Sequence, residues 1–175
     1  MKSIYKDWHK MFPGSGQGKQ FEWMMNLVYR LKPRTVLDWG CGKGGTAAYI
    51  ESEIPNLNIT RYDPGTEQYN TPPKGTFEFV YSTDVFEHIE AEDIDSSIQQ
   101  VQSYTTNFHA HIIDLDPAKK RLPDGRNAHV TLWTAEEWVD KFNECSEVLD
   151  YHVEAYPDKY LEKGRHRIHL LCLKR

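Results

Sequence analysis

The stretch VLDWGCGKGG, residues 36–45, decides how the rest of this 175-residue chain folds. The apolar run Thr35–Leu37 predicts a short buried strand, and the acid Asp38 closes it. A glycine-rich turn follows, and Thr46–Ile54 predicts a helix with one apolar face. Strand, turn and helix together predict a cradle for a nucleotide. The glycines let the backbone approach a ligand closely, and the helix N-terminus offers free amide donors.

Two classes of ligand use such a turn. Gly40, Gly42 and Gly45 fit the dinucleotide pattern G-x-G-x-x-G, which is a weak signal by itself. Asp38 favours a different ligand, because a carboxylate beside the turn repels a pyrophosphate and attracts ammonium and sulfonium charges. S-adenosylmethionine carries both of these charges. A nicotinamide-dependent oxidoreductase is therefore the less favoured alternative.

The same stretch resembles the first motif of the class I, Rossmann-like S-adenosylmethionine-dependent methyltransferases, and its wording is similar to that of small phage members. A second stretch, TDVFEHI at 83–89, resembles the family's fourth motif, commonly Asp-Val-Leu-Glu-His, with Phe86 in place of leucine. The resemblance runs from about Phe21 to the C-terminus. It implies methyl transfer from S-adenosylmethionine and a three-layer α/β/α fold. The sheet would be mostly parallel, with an antiparallel C-terminal strand.

Cofactor contacts are expected at the ends of three strands. Asp63 ends the second predicted strand, 19 residues after Gly44, near the separation at which an acid binds a ribose diol in this fold. The fourth motif places Asp84 near the methionine end of the cofactor. The residues expected to bind S-adenosylmethionine are Asp38, Gly40, Cys41, Gly42, Gly44, Asp63, Pro64, Thr83, Asp84 and Val85.

The remaining chain predicts a single domain over 1–175, with residues 1–20 as an N-terminal arm or lid. The turn-rich segment 64–76 leaves little room for a helix and a strand, so we expect the fold to be shortened around its third strand. Apolar spacing and end signals predict helices at 21–31, 91–107 and after the capping box Thr134–Glu137. Strands are predicted at 57–62, 77–82, 108–115, 148–156 and 167–173.

Histidines are the candidates for chemistry. His129 is the best candidate for a catalytic base, in an acceptor site formed by the N-terminal arm and Asn127–Trp133. His88 is expected to orient its turn through a hydrogen bond rather than to take part in the reaction. His109 and His111 share one face of a predicted strand, but we interpret them as polar side chains at the end of the sheet, and we expect no metal site.

Composition limits the acceptor and the compartment. The net charge of −5 disfavours extended binding to nucleic acid, and no apolar run approaches membrane-spanning length. Three cysteines form no even disulfide set, and no signal peptide opens the chain, so a reducing cytoplasm is expected. Neither the Pro-Cys nor the Asn/Asp-Pro-Pro-aromatic motif of DNA methylases follows the strand before Asp84. We therefore expect a small-molecule, nucleotide or sugar acceptor. A protein that binds S-adenosylmethionine without transferring methyl is the alternative.

Overall fold

A computed structural model describes residues 21–158 and 161–175 of the chain. Ten helices and strands make up this part, with three short 3-10 turns at Glu67–Tyr69, Phe86–His88 and Ala91–Asp93. No helix in the two described ranges combines the length and apolar character that crossing a bilayer requires. In chain order the elements are α1 (Glu22–Leu31), β1 (Val36–Trp39), α2 (Gly45–Glu53), β2 (Ile59–Tyr62), β3 (Phe77–Thr83), α3 (Ile94–Tyr104), β4 (Thr105–Asp114), α4 (Ala135–Cys145), β5 (Ser146–Asp158) and β6 (Leu161–Lys174).

The six strands form one sheet in the order β2-β1-β3-β4-β6-β5. Strands β1 to β4 pair in parallel, whereas β6 runs antiparallel to β4, and β5 runs antiparallel to β6. This arrangement confirms the predicted mostly parallel sheet with an antiparallel C-terminal part. The chain leaves β1 for β2 on one side and then returns to β3 on the other. That reversal of strand order opens a crevice at the carboxyl ends of β1 and β3, where open α/β sheets bind ligands.

The predicted shortening around the third strand is confirmed. Between β2 and β3 the described chain forms a single 3-10 turn at Glu67–Tyr69 and otherwise irregular backbone. The next strand in sequence, β3, pairs directly with β1, so β2 forms the edge of the sheet. The proline- and glycine-rich composition of residues 64–76 explains this, because such residues interrupt helices and strands.

Apolar side chains on both faces of the sheet produce the three layers. Along β1, Val36 joins one buried cluster and Leu37 joins the other, as expected for the alternation of a strand. The cluster of Val36 includes Met24 of α1 and Ile50 of α2. The opposite cluster includes buried side chains of α3 and α4, among them Ile98, Trp138 and Phe142. The central strands are therefore covered on both faces, and the crevice lies at the carboxyl ends of these buried strands.

Several helix and strand boundaries differ from the predicted ones because of strand pairing. The helix expected over 91–107 ends at Tyr104, and β4 begins at Thr105 rather than Phe108. Thr105 pairs with Phe77 of β3, so the sheet takes residues that the apolar spacing assigns to the helix. The last two strands are likewise longer than predicted, because they pair with each other along most of their length.

His109 and His111 lie in the middle of β4 and not at the end of the sheet, which corrects the sequence prediction. Their rings share a hydrogen bond of 2.8 Å, and both side chains are fully buried. Ser146 Oγ lies 2.9 Å from His109 Nε2, and Ser82 Oγ lies 2.8 Å from His111 Nδ1. All four ring nitrogens are therefore used within the protein. The pair links β3, β4 and the start of β5.

We predict that His109 makes the protein less stable in mild acid. Burial lowers the pKa of His109 to about 4, against roughly 6.5 for a histidine in an unfolded chain. Between these values the unfolded chain binds a proton that the folded chain does not, so stability falls as the pH falls. His109 should by itself remove about 2 kcal/mol of unfolding free energy on going from pH 7 to pH 5.

Urea unfolding at both pH values measures this effect. The variant His109→Gln should show a smaller difference between the two pH values than the parent protein. His152→Gln is the matched control, because His152 is an exposed histidine on β5. If His109→Gln keeps the parent's full pH difference, His109 does not stay neutral in the folded protein.

Candidate functional site

The glycine turn between β1 and α2 packs against the turn that follows β3. Gly40 has φ of 78°, and a Cβ added to it would meet Val85 Cγ2 at 2.6 Å. Gly44 has φ of 79°, and a Cβ there would meet Arg61 Cδ at 2.9 Å. Both positions therefore require glycine for backbone conformation and for space. The contact brings Gly40 and Val85, two predicted cofactor residues, to the same crevice.

Asp63 holds the glycine turn in place. It lies at the carboxyl end of β2, with 8% of its surface exposed. Gly42 N donates to Asp63 Oδ2 at 2.8 Å, and Gly65 N donates to Oδ1 at 2.7 Å. Each carboxylate oxygen has a second lone pair, so the side chain still has capacity to accept ribose hydroxyls. The neighbouring Pro64 is exposed.

Asp38 is buried beneath the turn, with only 1% of its surface exposed. Burial raises its pKa to about 7, while the Tyr81 hydroxyl, the charge of Arg61 and the Ala47 amide oppose the rise. Among the described residues, no contact to either carboxylate oxygen meets hydrogen-bond geometry, and the same is true of the Tyr81 hydroxyl. The acid that the sequence assigns to the cofactor therefore has hydrogen-bonding capacity in reserve.

Cys41 lies between these two acids and is buried as well. Burial raises the pKa of its thiol, and the charges of Asp38 and Asp63 act in the same direction. The side chain therefore stays uncharged and fills space under the turn. Its contribution to a ligand site is its backbone, because the Cys41 and Gly40 amides both donate to Tyr62 O and anchor the turn to β2.

The turn after β3 is held from the other side of the sheet. Asp84 has φ of 53°, and Arg167 of β6 binds it with both nitrogens, Nε to Oδ1 at 2.8 Å and Nη2 to Oδ2 at 3.0 Å. Thr83 Oγ1 lies 3.4 Å from Thr46 Oγ1 at the start of α2. Asp84 therefore lies at the predicted crevice with its carboxylate paired to Arg167, and the two hydrogen bonds fix the orientation of that carboxylate.

A second ion pair lies beside the first, and sequence reasoning missed both arginines. Arg165 binds Asp114 through Nε at 3.1 Å and Nη2 at 3.0 Å, and Tyr156 Oη donates to the same carboxylate at 3.0 Å. The signal was the Arg-x-Arg spacing at Arg165 and Arg167, since alternate residues of a strand share a face. Nothing in the sequence indicates which acids this face would meet.

The structure brings Glu87, His88 and His129 together. Each offers one potential ligand atom, and the three atoms lie within 4.8 Å of one another. His88 Nδ1 bonds to Ala128 O at 2.7 Å, and His129 Nδ1 bonds to Asp116 O. A carbonyl oxygen only accepts, so each Nδ1 carries the proton and each Nε2 carries the lone pair. The predicted orienting role of His88 is consistent with its bond to Ala128.

Burial controls the charge of this cluster. It lowers the pKa of His88 to about 4, with the charge of His129 acting in the same direction. It also lowers the pKa of His129 below the usual value. Burial and the nearby charge of Asp84 raise the pKa of Glu87 well above the usual range. At neutral pH the two imidazoles are therefore uncharged.

His129 is the residue of the predicted acceptor segment that joins this cluster. Asn127 Oδ1 accepts from Ala118 N and His129 N, both at 2.9 Å, so its side chain braces the loop. Trp133 packs on Trp138 of α4 with ring centroids 4.7 Å apart. The N-terminal arm, the other predicted wall of the acceptor site, lies outside the described residues.

The described surface also has a shallow groove of about 300 Å³, which lies away from the candidate site. It is lined by the end of α1 and residues 54–57, which precede β1 and β2. These residues lie at the amino ends of the strands. The groove contains none of the predicted site residues.

Comparison with known sequences identifies the family of the chain. The sequence profile of a family described as a methyltransferase domain matches residues 17–147, about three quarters of the 175-residue chain. The match includes the glycine turn, the Asp84 turn and His129. No curated protein sequence matches the chain.

Solved structures show the same fold at low sequence identity. Magnesium protoporphyrin IX methyltransferase from Synechocystis PCC 6803, with bound S-adenosylmethionine, is similar with a TM-score of 0.68 and 13% identity, over 99% of this chain and 97% of that one. A Burkholderia thailandensis 1,6-didemethyltoxoflavin-N1-methyltransferase, with bound 1,6-didemethyltoxoflavin and S-adenosylhomocysteine, has a TM-score of 0.67 and 14% identity, over 98% and 84%.

A Clostridium acetobutylicum ATCC 824 S-adenosylmethionine-dependent methyltransferase has a TM-score of 0.63 and 12% identity, over 96% of both chains. The family match covers most of the chain, and the glycine turn, the acid beside it and the strand order agree with it. The chain therefore belongs to the class I S-adenosylmethionine-dependent methyltransferases.

Proposed function

We propose that this methyltransferase modifies a small polar acceptor bound at the carboxyl ends of β1, β3 and β4, next to His129. The observation that carries the proposal is a connection between two turns. Val85 touches Gly40 of the glycine turn, and the same segment continues into Glu87 and His88, which meet His129. This connection supports a single crevice that would hold both the cofactor and the acceptor.

The cofactor would bind along the glycine turn. Asp63 would accept the ribose hydroxyls with its remaining lone pairs while it holds Gly42 and Gly65. Asp38 would attract the ammonium group of the methionine end. Its two buried oxygens support that role, because neither has a contact within hydrogen-bond geometry to another described residue. Backbone at Gly40, Cys41, Gly42 and Gly44 would line the turn, with the second turn at Thr83–Val85 opposite.

The chemistry requires alignment and the removal of one proton. The sulfonium already makes the methyl carbon electrophilic, so the protein has to align acceptor, methyl and sulfur and exclude water. The acceptor's lone pair forms the new bond to carbon, and the carbon–sulfur electron pair stays on S-adenosylhomocysteine. His129 Nε2 would take the acceptor's proton, because the bond from Nδ1 to Asp116 O leaves the lone pair on Nε2.

Several observations support a small-molecule, nucleotide or sugar acceptor. The net charge of −5 works against an extended nucleic-acid surface. Two of the similar structures are methyltransferases of small molecules, a magnesium protoporphyrin and a didemethyltoxoflavin. The three free cysteines, Cys41, Cys145 and Cys172, support a reducing compartment such as the cytoplasm.

The proposed function is tested by measuring S-adenosylhomocysteine formation with a panel of phenols, amines, nucleotides and sugars. Turnover that requires one acceptor class supports the proposal and identifies the class. Tight binding of S-adenosylhomocysteine without turnover on any class would favour the alternative of a protein that binds the cofactor without transferring methyl.

We predict that Asp63→Ala weakens binding of S-adenosylhomocysteine by about 1–3 kcal/mol, because it leaves two backbone amides and the ribose hydroxyls unpaired. Asp63→Asn should cost less, since the amide oxygen still accepts one of these bonds. Calorimetry measures both affinities. Glu53→Ala, which removes an exposed carboxylate at the end of α2, is the control and should bind like the parent. Parent-like affinity in Asp63→Ala would show that the ribose assignment is wrong.

We predict that His129→Ala lowers turnover by about 100-fold or more, the lower range for the loss of a general base. Cofactor affinity should stay unchanged, because His129 lies in the acceptor segment and not in the glycine turn. Steady-state kinetics with the acceptor found in the panel measures turnover, and calorimetry measures affinity. His152→Ala, at an exposed histidine, is the control. Unchanged turnover in His129→Ala would remove the residue from the mechanism and leave alignment to explain the rate.

A further inference from the structure

We propose that Glu87, His88 and His129 form a binding site for a divalent transition-metal ion. Their ligand atoms lie within 4.8 Å of one another. Two separate elements supply them, since Glu87 and His88 belong to the 3-10 turn after β3 and His129 precedes α4. None of the three belongs to the set expected to bind S-adenosylmethionine, so the site is an addition to the cofactor crevice.

A buried oxygen of Glu87 is a second observation in favour of a bound cation. Its side chain is fully buried, and Oε1 accepts from Asp114 N at 3.3 Å. Oε2 is buried and has no hydrogen-bond partner among the described residues. A buried carboxyl oxygen without a partner is costly, and a cation bound in place of the carboxyl proton would supply that partner.

The two acids next to Glu87 each have an arginine partner. Asp84 is paired with Arg167, and Asp114 is paired with Arg165. Burial raises the pKa of Glu87, and the charges of Asp84 and Asp114 act in the same direction. Within the part of the chain that the structure describes, no lysine or arginine forms an ion pair with Glu87. Two of three clustered acids therefore have an arginine, and the third faces two imidazoles.

The imidazoles are arranged as metal ligands usually are. A ligating histidine typically donates its other ring N–H to a carbonyl or carboxylate, which fixes the tautomer and the ring orientation. His88 does so to Ala128 O and His129 to Asp116 O. The two rings are 4.8 Å apart between centroids and meet edge to face at 81°. Backbone carbonyls thus fix the tautomer of both rings, with the lone pair on Nε2.

The ligand set selects the class of ion. Two imidazole nitrogens and one carboxylate suit Zn²⁺ and similar first-row ions, whereas Mg²⁺ and Ca²⁺ prefer oxygen ligands. With Zn–N and Zn–O bonds of about 2.0–2.2 Å, ligand atoms on tetrahedral zinc lie roughly 3.4 Å apart. The ligand atoms lie within 4.8 Å of one another, so small side-chain shifts would bring them to that separation. Three protein ligands would leave one position for water or an acceptor atom.

The ion and the proposed base share one atom, which makes the two roles separable. With an ion bound, His129 Nε2 is a ligand and cannot take a proton. Turnover that survives a chelator would therefore assign His129 to proton transfer, and turnover that requires added Zn²⁺ would assign it to the metal site. Ion binding itself is measured without S-adenosylmethionine or acceptor, so its result does not depend on the proposed function.

The test is a titration of chelator-treated full-length protein with Zn²⁺ by calorimetry and with Co²⁺ by visible absorption. We expect a single equivalent per chain and the intense absorption of tetrahedral Co²⁺. Glu87→Gln and His129→Ala should each weaken binding by about tenfold or more. Glu87→Gln keeps the side-chain shape and an acceptor for Asp114 N. The matched control is His166→Gln, which removes a histidine lying 3.3 Å from an acid, Asp116, outside the cluster.

Thermal unfolding supplies the second measurement. Zn²⁺ should raise the melting temperature of the parent and of His166→Gln, because an ion that binds the folded state stabilises it. The rise should be absent from Glu87→Gln, or from His88→Gln if the former does not fold. Equal Zn²⁺ affinity in the parent and the cluster variants, loss of binding in His166→Gln, or no binding by the parent would each overturn the proposal.

Discussion

The close approach of two turns at the carboxyl ends of β1 and β3 is the constraint on which the site depends. Gly40 packs against Val85 so tightly that any Cβ at position 40 would overlap that side chain. The glycine turn therefore packs directly against the turn that carries Glu87 and His88. Strand order places these turns next to each other, because the chain reverses its direction of travel across the sheet between β2 and β3.

The acids around this contact are held by backbone amides on one side and by arginines on the other. On the β2 side, Asp63 uses backbone amides to hold the glycine turn. On the β6 side, Arg167 and Arg165 hold Asp84 and Asp114 from the opposite end of the sequence. The antiparallel C-terminal strands thus widen the sheet and also position charged side chains. They deliver two guanidinium groups that compensate acids at the ends of β3 and β4. Within the described residues, Glu87 forms no ion pair with either arginine.

Much of the fold could be predicted because its signals are local. The glycine turn, the capping box at Thr134 and Glu137, and the alternating apolar residues of the strands each depend on neighbours in the chain. The shortened segment after β2 was also predictable, since proline and glycine act on their own backbone. Boundaries were less accurate where a strand takes residues from a helix, as at Thr105, because pairing with Phe77 is a long-range interaction.

The sequence by itself determined the family, the cofactor and the backbone of the glycine turn, because glycines at fixed spacing and an acid before them constrain a local backbone. Only the tertiary structure decided what surrounds His129. Its ring meets Glu87 and His88 from 41 to 42 positions earlier in the sequence, and its tautomer is set by a carbonyl at Asp116. The position of His109 and His111 inside the core was likewise invisible. No local pattern records such contacts, since they arise when β3, β4 and the segment before α4 pack together.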